Sequence, residues 1–242
     1  MQRQAARRPL HPQKYPGPSS SGGGWQQWLN EHRPAAAAGA LLLLLLLAWL
    51  LWPSPFSKVA NLSSRGSNVI AFGDSLTAGY GAGGGEDYPS RLSALIAVSV
   101  LNAGVSGDTT EAALARLDTD VLARDPRIVI VGLGGNDFLR GIDIGATEAN
   151  LRTIVGRIQD KGAMVVLLGF HFPSLTVNYE TMYERVARDN GCLLIARPLA
   201  GILTDPSLKS DEIHPNARGY ALMAERLAGP CGKLVKKANR AR

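Results

Sequence analysis

The 242-residue sequence predicts an α/β fold, a doubly wound three-layer sandwich with a five-stranded parallel sheet. Between residues 67 and 232, short apolar runs bounded by Gly or Pro alternate with segments of helical periodicity. The runs are apolar at nearly every position, which is typical of strands buried on both faces. Strands that alternate with helices in this way form parallel sheets covered by helices on both sides.

Five apolar runs supply the predicted strands. They are Val69 to Phe72, Val98 to Leu101, Ile128 to Val131, Met164 to Leu168 and Leu193 to Ile195. Sheets of this class bind their ligands beyond the carboxyl ends of the strands. We therefore look for functional residues directly after each run.

Three other stretches place apolar residues at helical spacing. These residues are Leu114, Leu117, Val121 and Leu122; Leu151, Ile154, Val155 and Ile158; and Tyr220, Met223, Ala224 and Leu227. Asp108 and Glu111, three residues apart, predict a capping box at the start of the first helix.

The charge distribution argues against nucleic acid as a partner. The whole chain carries a formal charge of +6, but the predicted domain 67–232 holds 14 bases against 19 acids. The positive excess lies in an N-terminal arm, 1–34, and in a basic tail, 233–242. Because a nucleic-acid-binding domain carries its positive patch on the folded body, we expect no nucleic-acid partner.

Residues 35–52 contain only apolar side chains and Gly39. Eighteen residues of helix reach about 27 Å, close to the roughly 30 Å of a bilayer core. We expect an uncleaved, single-pass signal-anchor in the inner membrane. The alternative is a cleaved signal peptide and a secreted body.

The flanks of this segment predict its orientation. Residues 1–34 are rich in Pro, Gly, Ser, Gln and Arg, which predicts a disordered cytoplasmic arm, and residues 53–66 predict a flexible tether. Bases upstream of the apolar segment outnumber those just downstream. The positive-inside rule then leaves the N-terminus in the cytoplasm and the body facing the periplasm or exterior.

Candidate functional residues follow the first three strands. Ser75 stands at a strand-to-helix turn, where a hydroxyl is presented at the open edge of the sheet beside backbone N–H groups. Gly107 precedes a helix and leaves its N–H free, and Asn136 can donate its side-chain amide into the cleft. Each of the three segments, taken alone, is also compatible with an ordinary turn.

Only two of the four histidines, His171 and His214, lie on the predicted body. A general base near neutral pH is best supplied by an imidazole, and Asp211, three residues before His214, can hold its Nδ1–H. No acidic residue lies near His171 in the sequence. For His171 we therefore favour a place in a pocket wall or a structural role.

These segments, in this order, resemble the SGNH hydrolases, also called the GDSL esterase and lipase family. The resemblance covers residues 68 to about 228, and it is greatest to the bacterial arylesterase and thioesterase I/lysophospholipase branch. The motifs that carry it are Gly73-Asp-Ser-Leu-Thr-Ala-Gly-Tyr-Gly81, Ser106-Gly-Asp-Thr109, Leu133-Gly-Gly-Asn-Asp137, Leu139-Arg-Gly141 and Asp211-x-x-His214-Pro215. The resemblance implies a flavodoxin-like sheet.

The resemblance also implies roles for individual residues. Ser75 would be the nucleophile, His214 its general base and acid, and Asp211 the group that orients His214. The oxyanion hole would comprise the Ser75 and Gly107 N–H groups and the Asn136 side chain. This acyl-serine route needs no cofactor. We interpret Asp74 as structural, bracing the turn.

The residues after Asn136 bear on the substrate. Phe138, Leu139 and Ile142 are apolar and, with His171, are candidates for the substrate pocket. They favour an acyl chain over a sugar, and the resemblance implies hydrolysis of aryl esters, acyl thioesters or lysophospholipids. A carbohydrate O-acetylesterase of the cell envelope and a catalytically dead binding module are the alternatives.

The two cysteines, Cys192 and Cys231, leave two arrangements open. They can form a disulfide that clamps the C-terminus, or both can be free. No Cys or His cluster has the spacing of metal ligands, so we expect no metal site.

Overall fold

The computed structural model describes residues 37–38, 41–47, 56, 58–172 and 178–241. The chain divides into two compact units, Met1–Pro53 and Ser54–Arg242. In the first unit, residues 37–38 and 41–47 are helical. The arm 1–34 and the rest of the predicted anchor 35–52 lie outside the described residues. Within the described ranges, no helix is both long enough and apolar enough to cross a bilayer.

The second unit contains a sheet of five parallel strands in the order β2-β1-β3-β4-β5. The strands are β1 Asn68–Gly73, β2 Val100–Gly104, β3 Pro126–Gly132, β4 Met164–Gly169 and β5 Leu193–Ala196. The central strands β3 and β4 are buried at every position, whereas the edge strands β2 and β5 are partly exposed. The predicted fold class is confirmed.

Seven helices of the described residues surround this sheet. They are α1 Ser75–Ala78, α2 Tyr88–Ile96, α3 Thr110–Asp120, α4 Gly135–Leu139, α5 Ile144–Asp160, α6 Tyr179–Asp189 and α7 Ala217–Arg240. Helices α2 and α7 pack together, and α5 packs against both α3 and α6. The chain runs from β1 to β2 in one direction and from β2 to β3, β4 and β5 in the other. Right-handed crossovers in opposite directions place their helices on opposite faces of the sheet. The result is the expected three layers.

The register of the sheet brings three loops to one level. Gly73, at the end of β1, pairs with Gly104 of β2 on one side and with Gly132 of β3 on the other. The chain therefore leaves all three strands together. The loop that carries Ser75 lies between those that carry Gly107 and Asn136.

Two local predictions differ from the structure. Strand β2 begins at Val100 rather than Val98, because the Val98 amide donates to Ser93 O and closes the end of α2. The N-cap of α3 is Thr109, which accepts from the Ala112 amide, so the predicted cap at Asp108 is wrong. The Asp108 carboxylate binds Arg116 instead, at 2.6 Å.

The described part of the expected tether packs on the body. The Val59 side chain is buried, and the Ala60 amide donates to Gly191 O at 2.9 Å. Asn61 donates through Nδ2 to two carbonyls, Gln159 O at 2.8 Å and Ala163 O at 3.0 Å. Because Gly191 and Ala163 precede β5 and β4, this segment lies at the amino edge of the sheet, opposite Ser75. It is a docked strap rather than a free linker.

The expected basic tail from residue 233 forms the last turns of α7, which continues to Arg240. Leu234, Val235 and Ala238 are buried there, and the basic side chains alternate with them on the exposed face. The apolar spacing explains why the helix continues beyond residue 232. Both cysteines are free: Cys231 is buried in α7 and Cys192 is partly buried.

Candidate active site

Ser75 is the first residue of the short helix α1, directly after β1. Asp74 caps this helix, accepting from the Leu76 amide at 3.0 Å, as expected for a residue that braces the turn. The Ser75 amide has no hydrogen-bond acceptor in the described part of the chain. The turn thus presents a partly exposed hydroxyl and a free N–H on the same residue.

A close contact between two loops brings His214 to Ser75. Gly81 has φ +87°, and a Cβ at this position would lie 2.1 Å from Ser210 Oγ and 2.9 Å from Pro215 O. Only glycine permits this conformation together with this approach. The Ser210 amide donates to His214 O at 2.9 Å and closes the loop that carries the histidine.

Three side chains predicted from separate motifs form one hydrogen-bonded chain. Ser75 Oγ lies 2.9 Å from His214 Nε2, and His214 Nδ1 lies 2.8 and 3.0 Å from the two carboxylate oxygens of Asp211. A carboxylate at Nδ1 favours the tautomer with the proton on Nδ1, which leaves Nε2 free to accept the serine proton. The Tyr80 ring packs on the imidazole, with centroids 4.5 Å apart.

Asp211 is also fixed by its own loop. Its Oδ1 accepts from the amides of Ile213 at 2.9 Å and His214 at 2.8 Å. Burial raises the pKa of the Asp211 carboxyl, but these hydrogen bonds, with that from the His214 ring, outweigh burial and leave the pKa below its ordinary value. The carboxylate is therefore ionised at neutral pH and faces a histidine whose imidazole is largely shielded from solvent.

Gly107 and Asn136 lie on the loops that flank Ser75. The Gly107 amide has no acceptor within the described residues. Asn136 donates one N–H of its side-chain amide to Asp108 O at 2.9 Å. Since the amide carries two N–H groups, one remains for a ligand. The residues predicted for an oxyanion hole therefore follow three neighbouring strands, with free donors on each.

Three buried carboxylates lie behind this edge, on Asp74, Asp108 and Asp137. Burial, above all, raises the pKa of Asp74 to about 7; the Leu76 hydrogen bond opposes the rise, and the negative charge of Asp108 adds to it. Asp137 accepts from the Thr110 amide and hydroxyl, at 2.9 and 2.6 Å. This pairing ties the start of α3 to the short helix α4, which carries Asn136.

Arg116 is a site-supporting residue that the sequence did not reveal. Its guanidinium binds Asp108, donates to Gly73 O at 2.9 Å and Ala103 O at 3.0 Å, and lies over the Phe72 ring. Gly73 lies 43 residues away in the sequence, so no local pattern indicates that Arg116 joins the ends of these strands. Tyr80 and Arg140, in contrast, lie within the motifs that carry the family resemblance, although the motifs alone indicate no role for them.

The four predicted pocket residues do not form one cluster. Phe138 stacks on Phe172 at 4.6 Å and meets the edge of Tyr179 at 5.6 Å, which makes an aromatic group beside Asn136. Leu139 is exposed and Ile142 is half-buried.

His171 lies in an exposed position. Its Nδ1 lies 3.1 Å from a carboxylate oxygen of Glu180, which Arg197 also binds. No contact within the described residues joins His171 to Ser75, so its place in a pocket wall stays a prediction. Across the described ranges, no three His, Cys, Asp or Glu side chains are grouped so that they could hold a metal ion.

Comparison with known proteins agrees with the motif order and the sheet. The profile of the GDSL-like Lipase/Acylhydrolase family matches residues 71–222. The chain belongs to this family. Its fold, its match to the profile and its relatives identify it as an ester hydrolase.

Curated relatives support this placement. The chain is 30% identical over 195 residues to thioesterase 1/protease 1/lysophospholipase L1 of Escherichia coli (strain K12), an alignment that covers 76% of this chain and 94% of the relative. It is 32% identical over 177 residues to an arylesterase of Vibrio mimicus, covering 69% and 88%.

Among solved structures, the esterase EstA of Pseudoalteromonas sp. superposes on the acylhydrolase with a TM-score of 0.64 at 26% identity. The superposition covers 70% of this chain and 99% of EstA. The aligned region therefore covers 88% or more of each of these relatives.

Proposed function

We propose that this acylhydrolase cleaves acyl esters, namely aryl esters, acyl thioesters or lysophospholipids, through an acyl-serine intermediate on Ser75. The observation that carries the proposal is the hydrogen-bonded chain from Asp211 through His214 to Ser75, with its 2.9 Å step between Oγ and Nε2. A serine hydroxyl is a weak nucleophile until such a base takes its proton.

In the proposed reaction, Ser75 Oγ attacks the acyl carbonyl carbon while His214 Nε2 takes the hydroxyl proton. Asp211 stabilises the imidazolium that forms. Negative charge on the carbonyl oxygen is held by the Ser75 and Gly107 N–H groups and by the Asn136 amide. The tetrahedral intermediate then expels the alcohol or thiol, which receives the proton from His214.

Deacylation repeats these steps with water. His214 removes a proton from the water molecule as it attacks the acyl-serine carbonyl, and then returns a proton to Ser75 Oγ as the acid leaves. The side chains and backbone N–H groups already named, with water, suffice for both halves. The enzyme ends each cycle in its initial protonation state.

A substrate panel on the full-length enzyme tests the proposal. We expect turnover of p-nitrophenyl esters, and labelling of Ser75 by a fluorophosphonate probe. The crystal structure of EstA inhibited by monoethylphosphonate supports the choice of a phosphonate as the probe. A folded enzyme that neither turns over short or long acyl esters nor reacts with the probe would refute the proposal.

The same panel separates the substrate classes. Acyl-CoA and lysophosphatidylcholine test the thioesterase and lysophospholipase activities. An acetylated oligosaccharide tests the alternative, a carbohydrate O-acetylesterase. The aromatic group of Phe138, Phe172 and Tyr179 beside Asn136 favours acyl or aryl groups. Faster cleavage of the acetylated sugar than of any acyl ester would favour the alternative.

We further propose that residues 35–52 anchor the enzyme in the inner membrane, with the N-terminus in the cytoplasm and the hydrolase body outside. The uncharged run and the excess of bases upstream support this orientation. Protease added to spheroplasts should digest the body. A protected body would overturn the orientation, and a released body that begins after residue 52 would indicate signal cleavage.

A further inference from the structure

A four-residue turn, Val105 to Asp108, carries two elements of the proposed oxyanion hole. Gly107 supplies a backbone N–H, and the Asp108 carbonyl holds the Asn136 side chain at 2.9 Å. The Asp108 amide donates to Val105 O at 3.2 Å and closes the turn. Gly107 has φ +87°, the value that a type II turn requires at its third residue.

This turn needs restraint because its glycine is adaptable. Rotation of the Ser106–Gly107 peptide converts a type II turn into a type I turn and reverses the direction of the Gly107 N–H. Glycine adopts positive and negative φ about equally readily, so the residue itself opposes this rotation only weakly. Contacts from outside the turn must therefore keep the amide directed into the site.

Two arginines supply these contacts from opposite sides. On the buried side, Arg116 binds the Asp108 carboxylate at 2.6 Å and also the ends of β1 and β2. On the solvent side, Arg140 donates through Nη2 to Gly107 O at 2.7 Å. The same nitrogen lies 3.6 Å from where a Cβ of Gly107 would be, so the guanidinium covers the glycine.

We propose that Arg140 is a positioning residue of the oxyanion hole. By holding the Gly107 carbonyl and covering its Cα, it fixes the backbone directly after the peptide that would rotate, and this restraint on Gly107 keeps its N–H directed toward the carbonyl oxygen of the substrate. The inference rests on the proposed function, since it assigns Gly107 the donor role given there.

The surroundings of Arg140 distinguish it from an ordinary surface arginine. It follows α4, the helix that carries Asn136, so one short segment supplies both a donor and the clamp on a second donor. Within the described residues it forms no ion pair, and its side chain hydrogen-bonds to Gly107 O. Its exposure means that its loss should cost little folding stability.

The test compares Arg140→Ala, Arg140→Lys and a matched control, Arg218→Ala, in the full-length enzyme. Arg218 is also exposed and near the carboxyl edge, at the start of α7, but does not contact the turn. Initial rates with p-nitrophenyl acetate give kcat and KM separately. This ester is neutral and small, so it offers an arginine no anionic group to bind.

Loosening an oxyanion-hole donor should lower kcat less than removing the donor does, and removal typically lowers kcat about 100 to 1000-fold. For Arg140→Ala we expect kcat to fall roughly tenfold with KM within a factor of two, the pattern of an interaction made in the transition state. The rate of fluorophosphonate labelling should fall in parallel. Arg140→Lys should recover most of kcat, and Arg218→Ala should match the wild type.

Other outcomes overturn the inference. An unchanged kcat with a raised KM would make Arg140 a substrate contact, and unchanged values of both would leave it no role. Equal melting temperatures of Arg140→Ala and the wild type exclude a folding defect. If Arg140→Ala has a lower melting temperature, the kcat of Arg140→Lys relative to that of the wild type tests the inference instead. A wild-type enzyme inert toward esters and probe would refute the proposed function instead.

Discussion

The two edges of the sheet are built on different principles. At the amino edge, the strap around Val59 and Asn61 is buried or hydrogen-bonded to backbone carbonyls, and Arg127 joins β3 to Asn239 near the end of α7. These are contacts that ordinarily stabilise a fold.

The carboxyl edge concentrates features that cost stability. It holds three buried carboxylates and two amides without acceptors among the described residues. Four of the large apolar side chains exposed on the body border this edge: Tyr80, Val105, Leu139 and Ile213. The contrast indicates that stability contributed elsewhere holds a preorganised site in place.

The strongest test of this division is Ser75→Ala against Ser63→Ala, a serine exposed in the strap. Removing the nucleophile should lower kcat by roughly 10⁶-fold, as for other serine hydrolases. Removing the Ser63 hydroxyl, at the amino edge, should leave kcat unchanged. Rates with a p-nitrophenyl ester and melting curves of both variants provide the check. Substantial residual activity in Ser75→Ala would assign the nucleophile elsewhere.

Asn136→Ala should give the next largest effect. It removes a proposed oxyanion donor and the bond to Asp108 O, so we expect kcat to fall about 100 to 1000-fold with little change in KM. Asn150→Ala is the matched control, because Asn150 donates to Thr110 from the neighbouring helix α5. Similar losses in the two variants would indicate a structural cause instead.

Asp74→Asn tests the cost of a buried carboxylate at the carboxyl edge. Because the pKa is raised to about 7, the folded state keeps a proton that the unfolded chain releases near pH 4. This contribution to stability is complete below pH 4, falls as the pH rises toward about 7, and is constant above it. Its full size is on the order of 4 kcal/mol.

Asparagine retains a carbonyl for the Leu76 amide but does not titrate. We therefore expect Asp74→Asn to be more stable than the wild type at pH 8, with the difference shrinking toward pH 4. Chemical unfolding of both proteins between pH 4 and 8 measures this difference in the free energy of unfolding. A difference in unfolding free energy between Asp74→Asn and the wild type that does not grow between pH 4 and 7 would contradict the assignment.

The sequence predicted the parts of this picture that depend on local pattern. Apolar runs located all five strands, and short motifs after them named Ser75, Gly107, Asn136, Asp211 and His214. Parallel strands bring such loops to one edge, so their proximity followed from the fold class. The contacts of Ser75, His214 and Asp211 agree with the prediction, while their roles in the reaction stay to be tested.

Long-range pairings were not predictable in this way. Arg116 meets Gly73 across 43 residues, and Asn61 meets Ala163 across 102. The strap resembles a linker in composition, and the carbonyls that bind it, on Gln159, Ala163 and Gly191, lie far away in the sequence. The basic segment after residue 232 was classified by charge, although its buried leucine, valine and alanine continue the apolar face of α7.

The smallest expected effect concerns the amino edge alone. Asn61→Ala removes two hydrogen bonds and places alanine at φ +60°, so the loss should be roughly 2 to 3 kcal/mol. Asn61→Gly removes the same bonds without backbone strain and should be less destabilised. Neither should change kcat at a temperature where both are folded. A fivefold loss of kcat in either variant would show that the two edges are coupled.

The docked strap also has a practical consequence for use of the enzyme on solid supports. Phe56, with the ammonium of Lys237 5.7 Å from its ring centroid, is the first described residue of the body, and the strap follows it along the amino edge. A bead or electrode coupled through the exposed Lys58 of the strap would meet the enzyme on the side away from Ser75. Immobilisation through the strap should therefore leave the reactive serine open to bulky esters, whereas coupling through Lys209, beside the histidine loop, should obstruct it.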